Sequence, residues 1–318
     1  MRSEFDLIQH IKKKYALKRV GDDCAVLPKD STTDLLMTAD LLVEGVDFRL
    51  DWTTPELLGA KTLAVSLSDI AAMGGEPKSS MLSIGINEEV WNSDFVDRFY
   101  EGWFTLAKHH NVELVGGDVS RSPEHLFFDS IVVGEVAKGK AILRSGARPG
   151  DSIYVTGTLG GAAGGLMLLE SGHRYSEVDS RRKNLIARQL RPVPRIAEGK
   201  ILSETGFATA MIDISDGLSS DLHHLCDASE AGALLDFNSI PCDPDLNSIS
   251  FTDDVRIEFA IGGGEDFELL FTSREKEFSA PNFPHVTRIG EITSSIGRVE
   301  IIGGEFDAYL PRKGFRHF

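Results

Sequence analysis

Met211–Leu222 reads MIDISDGLSSDL, an apolar run that ends in Asp213, Asp216 and Asp221, three aspartates within nine residues. ATAMIDI, which overlaps its start, predicts a buried strand, and GLSSDLHHLCDASEAG predicts the helix that follows. Such a strand delivers clustered negative charge to the loop at its end. Two unit charges about 4 Å apart repel by roughly 4 kcal/mol at an effective dielectric near 20. The cluster destabilises a fold unless a divalent cation reverses the sign.

Outward from this unit, strands and helices keep alternating. DLLMTAD (Asp34–Asp40) predicts a strand. TTPELLGAKTLAVSLSDIAAMGG (Thr53–Gly75) predicts a helix with Thr54 as its cap, Pro55 at the first position and Gly74 or Gly75 at its end. SSMLSIGI, VELVGGD and LFFDSIVVGEVA predict strands, and SDFVDRFYEGWFTLAKHHN a helix capped by Ser93. Phe5, Ile8, Ile11 and Tyr15 behind Ser3 predict an amphipathic surface helix. Gly and Pro density rises in RSGARPGD (Arg144–Asp151), which places a boundary between domains 1–145 and 146–318. Beyond it SIYVTG predicts a strand, GAAGGLMLLE and SRRKNLIARQL helices, and the tail towards GFRHF edge strands. Without a strict βαβ rhythm, the order predicts two α+β (mixed α/β) domains rather than a Rossmann sheet.

The 318 residues exceed one ordinary core. A net charge of −16 and a pI near 5.0 oppose a nucleic-acid surface and an anionic membrane surface. Small phosphorylated ligands stay admissible where metal ions supply positive charge. Cys24, Cys226 and Cys242 are too few and too scattered for a disulfide framework or a zinc site. With no secretory signal and no apolar run of membrane-spanning length, the expected location is cytoplasmic.

The acidic positions gain meaning as a set. GDDCAV carries Asp22 and Asp23, MTAD Asp40, SLSDIAAMGG Asp69, VGGD Asp118, and DISD Asp213 and Asp216. Each alone is an ordinary turn or capping aspartate. Together they offer oxygen-only ligands of the kind Mg²⁺ takes beside phosphates and water. Asp69 falls near the C-terminus of its helix, where the macrodipole disfavours a negative charge, so a positive partner is expected. Arg121 and Arg144 can hold a phosphate bidentately or lie solvated on the surface. The loop VTGTLGGAAGG (Val155–Gly165) lacks the G-x-G-x-x-G spacing and any Gly-Lys-Ser/Thr, so close packing competes with phosphate binding as its role. His223 and His224 read as exposed helix residues, and no Ser-His-Asp or Cys-His set is visible.

GDDCAVL, TADLLVEGVDF, AVSLSDIAAMGGEP, LVGGDVSR, RSGARPGDSIYVTGTLGGAAGGL, LRPVPRI, IDISDGLSSDL, GGGEDFELLF and KGFRHF, in this order over nearly the whole chain, resemble the thiamine-monophosphate kinases. These share single aspartate motifs with the wider superfamily of aminoimidazole ribonucleotide synthetase. The resemblance implies a two-domain fold whose N-terminal sheets pair into a barrel across a homodimer. It implies ATP-dependent phosphorylation of thiamine monophosphate to thiamine diphosphate, with several Mg²⁺ ions. By motif, the implied metal ligands are Asp23, Thr38, Asp40, Asp69, Asp118, Asp213 and Asp216, with Ala39 offering its backbone carbonyl. Asp69, Asp118 and Asp213 are the implied catalytic set. Nucleotide contacts fall on Gly117, Asp118, Arg144 and Ser215, and acceptor contacts on Asp47, Glu265 and Arg312. Arg312 departs from the aromatic residue the family often has before KG(F/Y)xHF, leaving Phe315 or Tyr309 to stack on the acceptor rings.

Phosphoryl transfer to a phosphate needs positioning and charge neutralisation and no strong base, which suits a chain without a visible catalytic histidine. Rival readings are an aminoimidazole ribonucleotide synthetase-like ligase and a nucleotide- or metal-binding regulator without turnover. Selenophosphate synthetase would be expected to carry a reactive Cys or selenocysteine near its N-terminus, and the hydrogenase-maturation relative a cysteine at its C-terminus. Cys24 lies in a strand-like stretch, and the chain ends in GFRHF.

Overall fold

The computed structural model describes residues 4–249, 252–276, 283, 286–303 and 308–315; Ser3 and the last three residues of GFRHF lie outside them. The first half runs α1 (Glu4–Tyr15), β1 (Ala25–Pro28), β2 (Thr33–Val43), α2 (Pro55–Ala72), β3 (Glu76–Ile86), α3 (Glu88–Trp91), α4 (Phe95–His109), β4 (Glu113–Arg121) and β5 (Phe127–Ala137). Its sheet has the order β1-β2-β5-β3-β4, antiparallel except for the β3–β4 pair. Parallel neighbours need a crossover, and α3 and α4 provide it. On β2 alternation is strict: Leu36, Thr38 and Leu42 are buried, whereas Met37, Ala39 and Leu41 are exposed.

α2 is the pivot of the molecule. Thr54 caps it by accepting from the Leu57 N–H at 3.4 Å, Pro55 opens it, and Gly74 turns left-handed at φ 71° behind it. It packs on β2, β3 and β5 of its own half, on α4, and on α6 (Ser180–Leu190), α7 (Ile196–Thr205) and β7 (Ala210–Asp213) of the second half. Burial on nearly every face explains why apolar residues fill it without an amphipathic stripe. A side chain at Gly59 would meet Phe99 O at 2.0 Å and one at Gly102 would meet Glu56 O at 1.9 Å, so α2 and α4 cross at backbone contact. α4 begins at Phe95 with Asp94 in the cap position, one residue later than expected; Ser93 Oγ still accepts from the Phe95 N–H at 3.1 Å.

The second half contains β6 (Ser152–Thr156), α5 (Gly161–Glu170), α6 (Ser180–Leu190), α7 (Ile196–Thr205), β7 (Ala210–Asp213), α8 (Leu218–Ala228), β8 (Gly232–Asp236), α9 (Asp253–Gly262), β9 (Leu269–Ser273), β10 (Val286–Thr293), β11 (Val299–Ile302) and β12 (Ala308–Tyr309). Its sheet runs β12-β11-β8-β10-β6-β9-β7, antiparallel apart from β11–β8. Val155, Ile212, Leu222 and Leu270 belong to its core. The mixed α/β architecture is the one expected. Unforeseen were α3, α7, β8 and α9, with α7 obscured by the prolines of RPVP just before it.

Candidate active site

Four chain segments converge where α2 meets β7. β7 ends on Asp213, the last turn of α2 carries Asp69, β2 carries Thr38 and Asp40, and the segment before β1 carries Asp22 and Asp23. Asp23, Asp69 and Asp213 each bring one carboxylate oxygen within 4.8 Å of the others. Arg144 grips Asp23 Oδ1 from Nη2 at 2.5 Å and Nε at 3.1 Å, and its backbone N–H donates to Asp22 Oδ1 at 2.9 Å. Ser68 Oγ donates to Asp213 Oδ2 at 2.5 Å, and Thr38 Oγ1 donates to Asp69 Oδ2. Asp23 Oδ2 and Asp40 Oδ2 are buried without a hydrogen-bond partner.

Burial, reinforced by the charge of Asp23, pushes Asp213 up to about 8. Burial lifts Asp40 to about 6. Burial and the charges of Asp40, Asp213 and Asp23 hold Asp69 well above the carboxylate range, and burial raises Asp23 despite Arg144. One arginine does not neutralise four carboxylates. Protonation or a bound cation relieves such a set, and the two unpartnered oxygens fit a cation that takes oxygen ligands.

The cluster borders a cavity of about 1300 Å³ between the two halves, whose walls include Asp23, Thr38, Ala39, Asp40, Asp69 and Arg144. Ser215 and Asp216 lie on the same wall, directly after β7. Asp47 also faces the cavity, with Oδ2 accepting from the Val43 N–H at 2.8 Å. Glu265 also lines the cavity, in a left-handed conformation, φ 64°, and its N–H donates to Ser215 O at 2.7 Å. Arg312 reaches the wall but pairs with Asp227. Phe315 lines the cavity at 46% exposure, anchored by its N–H on Asp216 O at 3.1 Å. Tyr309 does not line it and stands edge-on to His223, ring centres 6.3 Å apart.

Several expected positions fall elsewhere. Asp118 and Gly117 lie exposed on β4. Register aligns Asp118 with Ser83, Asp129 and Leu41, the row on the sheet face opposite to Asp40, so the single chain does not gather Asp118 into the cluster. Arg121 is a surface residue paired with Glu88 at 3.0 Å. His223 and His224 are not exposed: His223 is buried with Nδ1 at 3.0 Å from Ser219 O, and burial pulls His224, on the cavity wall, down to about 3. Cys24 is 2% exposed, and burial followed by the Asp69 charge pushes its thiol up, the reverse of a nucleophilic thiolate.

The glycine loop is already satisfied from inside. Gly160 N–H donates to Asp266 Oδ2 at 2.6 Å and Ala162 N–H to Asp266 Oδ1 at 3.1 Å, so a buried carboxylate occupies the N-terminus of α5. A side chain at Gly165 would lie 2.1 Å from Leu185 O, which makes the loop's glycines a packing device between α5 and α6.

Residues 21–136 match the family described as AIR synthase related protein, N-terminal domain, and residues 148–301 match its C-terminal domain. The thiamine-monophosphate kinase of Buchnera aphidicola subsp. Acyrthosiphon pisum is 37% identical over 99% of both chains, and that of Bacillus subtilis 34% identical over the same share. The chain belongs to the thiamine-monophosphate kinase family. A solved structure of AaThiL complexed with AMPPCP and TMP superposes with a TM-score of 0.89 at 36% identity, covering 99% of this chain and 97% of that one. The thiamine-monophosphate kinase of Stenotrophomonas maltophilia gives 0.78 at 36% identity, with 95% and 98% covered.

In this thiamine-monophosphate kinase family member, further residues brace the site without carrying a motif of their own. Ser68 sits one position before Asp69 and serves Asp213. Asp266 and Glu268, inside GGGEDFELLF, hold α5 and the pair Arg188 and Arg195. Lys61 and Gln189 hold Glu265. A lone lysine inside the apolar run LLGAKTLAV was the available signal.

Proposed function

We propose that this protein transfers the γ-phosphoryl group of ATP to the phosphate of thiamine monophosphate, giving thiamine diphosphate, by direct in-line transfer. One observation carries the reading: carboxylates from both halves, Asp23, Asp69 and Asp213, converge beside a large cavity whose wall also carries the unpartnered Asp23 Oδ2 and Asp40 Oδ2, as phosphoryl transfer through metal-neutralised phosphates requires. Full-length relatives named thiamine-monophosphate kinase and the AaThiL complex with AMPPCP and TMP support it.

Asp23, Asp40, Asp69 and Asp213 would hold Mg²⁺, with Thr38, Ala39 and Asp216 beside them. Bound there, Mg²⁺ supplies charge neutralisation for the phosphate oxygens of both substrates. Arg144 adds a fixed positive charge on the same wall, its planar guanidinium oriented by Asp23. Ser215 is the nucleotide contact, and Asp47 and Glu265 face the cationic rings of the acceptor. Phe315 supplies an aromatic surface where Arg312 is drawn to Asp227. The acceptor phosphate is ionised at neutral pH, so no side chain has to remove a proton from it.

We place the domain boundary at 145/146 and read the working unit as a homodimer with a barrel across the two N-terminal sheets. Met37, Leu41 and Met81 are 41%, 55% and 44% exposed on the open sheet face, and β4 is an edge strand. Asp118 and Gly117 then serve as nucleotide or metal contacts in the assembled dimer. Three free cysteines agree with a cytoplasmic, reducing setting. Assays of ADP release and product identity with thiamine monophosphate and aminoimidazole-pathway substrate test the function. Turnover of the purine precursor alone transfers the case to the ligase, and no turnover of either leaves a binding protein.

A further inference from the structure

Lys61 is 2% exposed within α2, whose other neighbouring residues are apolar or small. A buried ammonium persists only where partners replace its water. Lys61 has two, both from the second half of the chain. Its Nζ lies 2.7 Å from Glu265 Oε1 and donates to Gln189 O at 3.1 Å. Gln189 O belongs to the last turn of α6, where helix carbonyls lack partners and a cation is favoured. Gln189 Nε2 in turn donates to Glu265 Oε2.

Both oxygens of Glu265 are therefore fixed from one side, yet 28% of its side chain remains accessible and it faces the cavity. A carboxylate accepts about four hydrogen bonds, so lone pairs stay free towards the cavity. Lys61 is not itself among the cavity-lining residues.

We propose that Lys61 is a positioning residue for the acceptor site: with Gln189 it fixes the carboxylate of Glu265 across the seam between the halves and aims it at the cationic rings of the acceptor. The proposal rests on the kinase reading and adds to it a residue that never touches substrate. A plain structural ion pair between the halves is the competing account, and the two differ in which kinetic constant moves.

The experiment is steady-state kinetics on the full chain, varying thiamine monophosphate at saturating ATP and ATP at saturating acceptor, with melting curves alongside. Lys61→Met is expected to raise acceptor KM roughly tenfold to a hundredfold, the range for losing a hydrogen bond to a charged group, with ATP KM within about twofold. In a Glu265→Gln background the same substitution should add little, because the carboxylate it orients is gone. Should Lys61→Met fail to fold, Gln189→Met keeps the backbone carbonyl and the Lys61–Glu265 pair; it should raise acceptor KM by a smaller, still selective factor. An unchanged acceptor KM in the folded variants, parallel changes in both KM values and melting temperature, or full additivity with Glu265→Gln overturns the positioning role. A wild-type protein that does not turn over thiamine monophosphate overturns the kinase reading, and this proposal with it.

Discussion

Asp213→Asn isolates the electrostatics of the cluster. The folded state holds the Asp213 proton up to about pH 8, whereas an ordinary aspartate releases it near 3.8. A raised folded pKa means that the folded chain binds more protons than the unfolded one between those values. Stability from this group is full below about pH 4 and is lost as pH rises through 8. At 1.36 kcal/mol per unit, the displacement amounts to roughly 6 kcal/mol against the metal-free fold above pH 8. Asparagine removes the charge and keeps an acceptor for Ser68 Oγ, which now sits 2.5 Å away. Exchanging a charged for a neutral hydrogen bond costs about 1–2 kcal/mol of the gain. At roughly 1.5 °C per kcal/mol for a chain of this length, the variant should melt about 5–10 °C higher than wild type in EDTA at about pH 8.5.

Circular-dichroism melts of both proteins in EDTA, at about pH 5 and about pH 8.5, give the difference directly. The gap should close at the lower pH, where Asp213 is protonated in the fold. His224, kept neutral by burial with a pKa near 3, contributes stability present above its unfolded value of 6.5 and lost below it; that contribution is common to both proteins and cancels. Added Mg²⁺ should raise the wild-type midpoint more than the variant's, and turnover of the variant should fall by roughly a thousandfold, about 4 kcal/mol of barrier. A variant less stable than wild type in EDTA at high pH, or a gap equal at both pH values, would refute the electrostatic account and make Asp213 a structural cap.

Free thiamine offers a neutral hydroxyl that needs a base, and the cavity carboxylates are taken up by the proposed Mg²⁺ and by the acceptor rings, so it should be a very poor acceptor; comparable ADP release with thiamine and thiamine monophosphate would contradict the phosphate-acceptor mechanism. Light scattering at micromolar concentration should give a dimer mass, and Leu41→Lys, on the exposed sheet face, should shift it towards the monomer. A wild-type monomer would remove the assembled-dimer role of Asp118.

What the sequence showed depended on how local the determining contact was. α2 was legible because Thr54, Pro55 and Gly74 act within one turn of its ends. The convergence of Asp23, Asp69 and Asp213 was suggested by motifs and required three-dimensional contact between α2, β7 and the segment before β1. Asp118 looked equivalent, since VGGD resembles the other strand ends. Its face is set by a register shift after Ser80 in the β3–β4 pair, which no local pattern announces. LHHL read as exposed because the cover over α8 comes from Ser219 Oγ reaching Pro311 O at 2.8 Å, far along the chain. The glycine loop kept two readings open because its true anion, Asp266, lies 106 residues away from Gly160.

Gly262–Leu269 shows how one short run serves three needs at once. Glu265 and Phe267 both adopt left-handed φ, 64° and 50°, so successive side chains leave the backbone in unrelated directions. Each such conformation costs about 1–3 kcal/mol unless its surroundings impose it. Here they do. Glu265 is drawn to Lys61 and Gln189 on the cavity side. Asp266 turns inward to the α5 N-terminus, and the hydrogen bonds from Gly160 and Ala162 only partly offset the burial that raises it to about 7. Glu268, fully buried, accepts from Thr156 Oγ1 at 2.6 Å and from Arg195 Nε at 2.6 Å, with Arg188 Nη1 at 3.1 Å. Two arginines on one carboxylate, with Asp243 sharing Arg188 at 3.2 Å, make the deepest of the three anchors. Substitutions at Asp266 or Glu268 therefore reach the cavity only indirectly, through the run that carries Glu265 and Phe267 and through α5, whose Ala163 and Met167 line it, because neither carboxylate does.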